Sequence, residues 1–328
     1  MSHSLRSARA RVRAAYTGEH IMAARQGVGR NGDLGLDRCS LPQQRLRTLL
    51  ATHLFNAGDT GVLVGSSIVS TLTHCTLTMS PRFDDLVVVA ECPTNVLGYL
   101  VPNGVGKDTA ELPGLRLSHL DDNETYRLVH LPTGARMTVT GRRRTLFDDS
   151  CFASYSGASR DGRRWWTPDV PLTPTERDSL RFNPVPPDGV AQILRALVTR
   201  LSARDVSGRW AIGYWFYDPL GRARPTGFND YRLRRRLIGA GPHWHLQWNG
   251  YPYPKDVTAM LLDTTAGLPG INATGTGRSF DLVLSGSGRK SFGVTRPGRV
   301  RRAGVGSRRV ARGVGLSVRV VRSGPVGR

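Results

Sequence analysis

The chain has 328 residues, 39% of them apolar, and 46 Lys or Arg against 25 Asp or Glu, a formal net charge of +21. This length and apolar share suffice for one large or two modest domains with a real core, which excludes a wholly disordered chain. The charge points to polyanions as partners, with nucleic acid ahead of acidic membranes and small substrates.

Arginine outnumbers lysine 43 to three (Lys107, Lys255 and Lys290). Arginine can grip phosphate with two parallel bonds, but a GC-rich coding bias, as in a GC-rich bacterium or a mobile element, yields the same ratio. Cys39, Cys75, Cys92 and Cys151 are far apart and form no C-x-x-C pair, so no metal site and no cofactor are expected. The first thirty residues carry six arginines and lack the apolar core of a signal peptide. A cytoplasmic, reducing location is the expectation.

In chain order, residues 1–35 read as a basic helical arm and a linker. The helix runs from Ser4 to about Ala24 with a break at Thr17-Gly18, and four glycines follow between Gly27 and Gly35. An α+β domain is expected over 36–153. Ser40 and Pro42 suit a helix start, and Leu46, Leu49, Leu50, His53 and Leu54 then fall on one face. Thr60 to Pro81 has no charged residue, yet its serines and threonines suit a buried helix or strand pair better than a membrane span. Leu86 to Ala90 reads as a buried strand. Thr125–Leu131 and Ala135–Thr140 read as a hairpin around Pro132-Thr133-Gly134, which places a sheet at about 85–145.

Residues 154–187 form a Pro- and Gly-rich connection, and a second α+β unit or a continuation of the first is expected over 188–286. Asp188 can cap a helix carrying Val190, Ile193, Leu194, Leu197, Val198 and Leu201 at helical spacing. Strands are expected at Trp210–Tyr217 and His243–Trp248, with a short helix at Asp256–Leu262. No internal repeat at a solenoid period is visible. The fold class is therefore α+β, mixed helices with a predominantly antiparallel sheet. Residues 287–328 read as a disordered basic tail, because Arg289 to Arg328 holds twelve Arg or Lys, no acid, and one Leu. The same composition also arises when GC-rich DNA is read in a displaced frame.

The densest chemical signal is Trp210 to Tyr253, where aromatic residues alternate with arginines. Arg232, Arg234, Arg235 and Arg236 could neutralise phosphates while Trp244 and Trp248 stack on bases, and Arg142-Arg143-Arg144 forms a second basic cluster. The competing interpretation makes the aromatics core and the arginines a solvated face. Gly65-Ser66 followed by Asp84 and Asp85 resembles a nucleotidyltransferase arrangement, but Val87 stands where the second alternating acid belongs. Gly104 to Lys107 lacks the leading glycine and the hydroxyl of a phosphate-binding loop. His243 and His245 share a strand face without a third ligand nearby. The leading expectation is a nucleic-acid-binding protein without catalytic residues. The alternatives are a nucleotidyl- or phosphoryl-transfer enzyme using Asp84 and Asp85, and a non-catalytic interaction protein with a frameshifted tail.

Overall fold

The structure is a computed structural model and describes residues 4–55, 76–91, 93–101, 112–121, 125–141, 165–212, 235–240, 243–248, 252–276, 279–284 and 315–320. In place of one basic helix there are two, α1 (Leu5–Thr17) and α2 (Ile21–Gly27). The chain turns between them where Gly18 adopts φ 75°, a left-handed conformation that suits glycine. The break therefore falls at Thr17-Gly18, as the sequence suggests.

The glycines expected to form a linker instead permit close packing. A Cβ on Gly27 would lie 1.9 Å from Arg13 Nη1, and one on Gly35, at φ 66°, would lie 1.9 Å from the Gly27 carbonyl oxygen. Leu34 and Leu36 beside them are buried. Helix α3 (Leu41–Leu54) follows and buries Leu46, Leu50 and Leu54. Ser40 occupies its N-cap position, although its side chain makes no capping bond.

The first sheet combines β1 (Thr76–Pro81), β2 (Asp85–Ala90), β3 (Leu115–Asp121), β4 (Thr125–His130) and β5 (Ala135–Gly141) in the order β1-β2-β5-β4-β3. Helix α4 (Pro93–Leu100) lies between β2 and β3 in the chain. The β4–β5 hairpin matches its sequence signature: Gly134 has φ 69°, and Tyr126, Leu128, Ala135, Met137 and Val139 alternate into the core. The expected connection contains α5 (Pro174–Phe182), started by a full capping box between Thr173 and Glu176. Helix α6 (Asp188–Thr199) follows and buries Val190, Ile193, Leu194, Leu197 and Val198.

The second sheet is built from β6 (Arg235–Ala240), β7 (His243–Trp248), β8 (Ile271–Thr276), β9 (Ser279–Leu284) and β10 (Gly315–Val320), ordered β6-β7-β10-β9-β8. Helix α7 (Pro254–Leu262) lies between β7 and β8. In each sheet three pairings are antiparallel and one, β2 with β5 or β7 with β10, is parallel. Among the described residues the halves thus share one order from α3 and from α6 onward: a helix, two strands, a helix and three strands. Their leading helices α3 and α6 pack against each other. One continuous hydrophobic cluster draws on both, from Leu50 and Val139 to Leu197, Leu246 and Leu282.

Within the segment expected as a tail, Gly315–Val320 forms strand β10. This segment stands between β7 and β9, with Leu316, Val318 and Val320 in register with Trp244, Leu246 and Trp248. The composition argument weighs the segment alone, whereas a strand slot between two existing strands supplies both ladders of backbone hydrogen bonds. Residues 285–314 and 321–328 lie outside the described residues, as do 213–217 of the strand expected at Trp210–Tyr217. Among the described residues no helix is long and apolar enough to cross a membrane.

Candidate functional site

Among the described residues, the α1–α2 hairpin, whose helices pack together, presents a basic surface. Arg6, Arg11, Arg25 and Arg30 are exposed there, while Arg13 is wholly buried. The inward arginine is matched on every side. Its Nε and Nη2 donate to the Glu19 carboxylate at 2.6 and 2.7 Å, Nη1 to the Leu34 carbonyl and Nη2 to the Pro81 carbonyl, both at 2.8 Å. Thr17 Oγ1 donates a further bond to Glu19. This pair locks the hairpin to the end of β1 and consumes Glu19, one of two acids in residues 4–34; the other is Asp33. Arg6 and Arg9 also brace the hairpin by donating to the Arg25 and Gly32 carbonyls.

Two more buried arginines pair with acids. Arg116 on β3 makes a double-pronged pair with Glu176 of α5 at 2.8 Å per arm and donates to the Val170 and Pro171 carbonyls. Burial opposes ionisation of Glu176, yet bonds from Arg116 and from the Thr173 and Gly114 amides hold its carboxyl below the usual range. Arg200, at the end of α6, pairs with Asp37 at 2.6 and 2.7 Å and donates to the carbonyls of Ala266 and Gly267. Charge-assisted, two-pronged bonds of this kind fix geometry as well as neutralise charge. None of the three pairs is marked by sequence spacing, except that Thr173-x-x-Glu176 after a run of prolines is a legible helix start.

The aromatic half of the expected interface is corrected by burial. Trp244 is 3% exposed and Trp248 1%, and the Trp248 indole donates to the Pro252 carbonyl at 2.7 Å. These rings fill the core of the second half and are not available for stacking on bases, because strand alternation turns them inward together with Leu246. Arg235 and Arg236 begin β6, in register with Trp248 and Gln247. Arg142, Arg143, Arg144, Arg232 and Arg234 lie outside the described residues, as do Gly65-Ser66 and Gly104 to Lys107. His245 is exposed on β7.

Of the two acids expected for phosphoryl transfer, Asp84 is exposed in the β1–β2 turn, and Asp85 Oδ2 accepts from Thr138 Oγ1 at 2.9 Å. Among the described residues no group of three or more His, Cys, Asp or Glu could hold a metal ion. Burial pushes the Cys39 thiol up, away from the thiolate a nucleophile requires. Burial also drives His53 and His130 down to about 4, so both are neutral imidazoles near pH 7. The arrangement can neutralise spaced anionic groups along the α1–α2 hairpin. No protein-family model matches this chain, and neither a curated protein nor a solved structure matches it.

Proposed function

We propose that this protein binds nucleic acid through arginine–phosphate contacts, with the α1–α2 hairpin as one anchoring surface. The observation carrying this reading is the division of labour among the N-terminal arginines: Arg13 is buried against Glu19, while Arg6, Arg11, Arg25 and Arg30 stay exposed in a stretch, residues 4–34, whose other acid is Asp33. A buried pair such as Arg13–Glu19 is a neutral unit, so the exposed arginines set the charge of this surface. Residues 285–314, which join β9 to β10, add nine Arg or Lys and no acid. Contacts of this kind hold the backbone without reading sequence. They bind by releasing counterions, so affinity falls steeply with salt.

The test is fluorescence anisotropy of the full chain with a labelled oligonucleotide across a salt series. Binding that persists at about 150 mM salt is expected. Arg6→Gln, Arg25→Gln and Arg30→Gln combined should lower both the affinity and the salt slope, by roughly 0.7 to 0.9 per lost phosphate contact. A chain that binds neither single nor double strands at that salt sinks the proposal.

A further inference from the structure

The β1–β2 turn is fastened to α3 at four successive carbonyls. Arg47 Nη2 donates to the Arg82 carbonyl and, at 3.1 Å, to that of Asp85; the Ser40 amide donates to Phe83 at 3.0 Å; and Gln43 Nε2 donates to Asp84 at 3.2 Å. Arg47 and Gln43 are fully buried, so the fastening lies beneath the surface. At the tip of this rigid turn the Phe83 ring is 50% exposed, and the Arg38 guanidinium carbon sits 5.5 Å from its centroid. Leu41 beside it is 57% exposed.

Burying such a ring is favourable, and a fixed, exposed aromatic side chain on a turn is ready for a ligand at little ordering cost. The surrounding charge narrows the ligand class. Arg38, over the Phe83 ring, and Arg136, in register with Asp85, are exposed near the turn, with Asp84 the exposed acid there. The first turn of α3 contains no acid, and its N-cap side chain makes no bond, so the positive end of the helix dipole adds to the same field. An aromatic face with an adjoining guanidinium and surplus positive charge suits a base with its phosphate.

We infer that Phe83 and Arg38 form a stacking platform for an unpaired base of a single-stranded nucleic acid, with the α3 N-terminus toward its phosphate. This rests on the nucleic-acid reading above and gives it a base-contacting site in place of the buried Trp244 and Trp248. A duplex hides its base faces, so the platform discriminates between single and double strands.

The test compares the full chain with its Phe83→Leu, Phe83→Trp and Arg38→Gln variants on one labelled oligonucleotide, single-stranded and as a duplex. Phe83→Leu keeps an apolar side chain and removes the face. It should weaken single-strand binding about 5- to 150-fold, with an unchanged salt slope and unchanged duplex binding. Phe83→Trp should bind the single strand at least as tightly as the parent, and Arg38→Gln should weaken it while reducing the slope. If Phe83→Leu binds the single strand like the parent, or loses duplex affinity equally, the platform is overturned while salt-sensitive binding by the parent still stands. If the parent binds nothing at about 150 mM salt, the nucleic-acid reading fails and the platform with it.

Discussion

Arg13 and Glu19 face each other across the α1–α2 turn in a buried, two-pronged ion pair that also reaches the carbonyls of Leu34 and Pro81. Six residues separate the two in the chain, so the pair is local, but its outer bonds tie the N-terminal hairpin to the first sheet. Removing one partner leaves the other charged, buried and unmatched. Arg13→Met or Glu19→Gln should therefore lower stability by about 3 to 5 kcal/mol, read as a shift in urea midpoint. The double replacement with Met and Leu should recover much of this loss, because the desolvation cost of both charges disappears with them. Equal losses in the single and double variants would contradict that account.

Gly35 offers a backbone test of the same packing. Its φ of 66° strains any L side chain, and its missing Cβ leaves room for the Gly27 carbonyl, which a methyl group would meet at 1.9 Å. Gly35→Ala should destabilise by more than the roughly 1 kcal/mol of a conformational penalty alone, since the backbone has to move. Gly134→Ala is the control: it has φ 69° with nothing within 4 Å, so only the conformational part should appear in the same denaturation measurement.

The two buried histidines predict how stability depends on pH. Burial lowers His53 and His130 from 6.5 to about 4, and the His130 ring is also fixed between Thr133 Oγ1 at 2.8 Å and the Pro113 carbonyl at 3.1 Å. Between these values the unfolded chain binds more protons than the folded one. Their contribution is therefore complete above about pH 6.5 and lost as pH falls toward 4, on the order of 3 kcal/mol for His53. Urea midpoints measured from neutral pH down to about pH 4.5 should fall, and His53→Leu should make that fall shallower. A midpoint that is flat over this range contradicts both shifts.

Strand β10 changes what truncation should do. Composition alone suggests that residues beyond about Gly286 can be removed without harm. In the fold, ending the chain at Leu284 deletes a central strand, separates the β6–β7 and β8–β9 hairpins, and opens both flanking ladders. The truncated chain should lose cooperative thermal unfolding in its second half and shift its tryptophan emission to the red, because Trp244 and Trp248 border the vacated strand. An unchanged melting curve and emission spectrum would remove β10 from the folded unit.

What the sequence determines here is mostly local. The spacing of Leu46, Leu50 and Leu54 is enough for α3, the Val190 to Leu201 periodicity for α6, and the Pro-Thr-Gly turn for the β4–β5 hairpin, because each depends on neighbours a few residues away. The α+β class follows from those elements, and the surplus of arginine needs only counting. Which arginines are spent inside is a tertiary matter: Arg116 finds Glu176 sixty residues away and Arg200 finds Asp37 at 163. The same holds for the tryptophans, whose alternation with arginine cannot say which face of the strand meets the core. The repeated topology is hidden for a related reason. Four residues join β4 to β5, whereas thirty join β9 to β10, so equivalent strands keep their place in the sheet without keeping a period in the chain. A strand is stabilised by the ladders on either side of it, and only the folded arrangement shows that Gly315–Val320, unpromising by composition, has two.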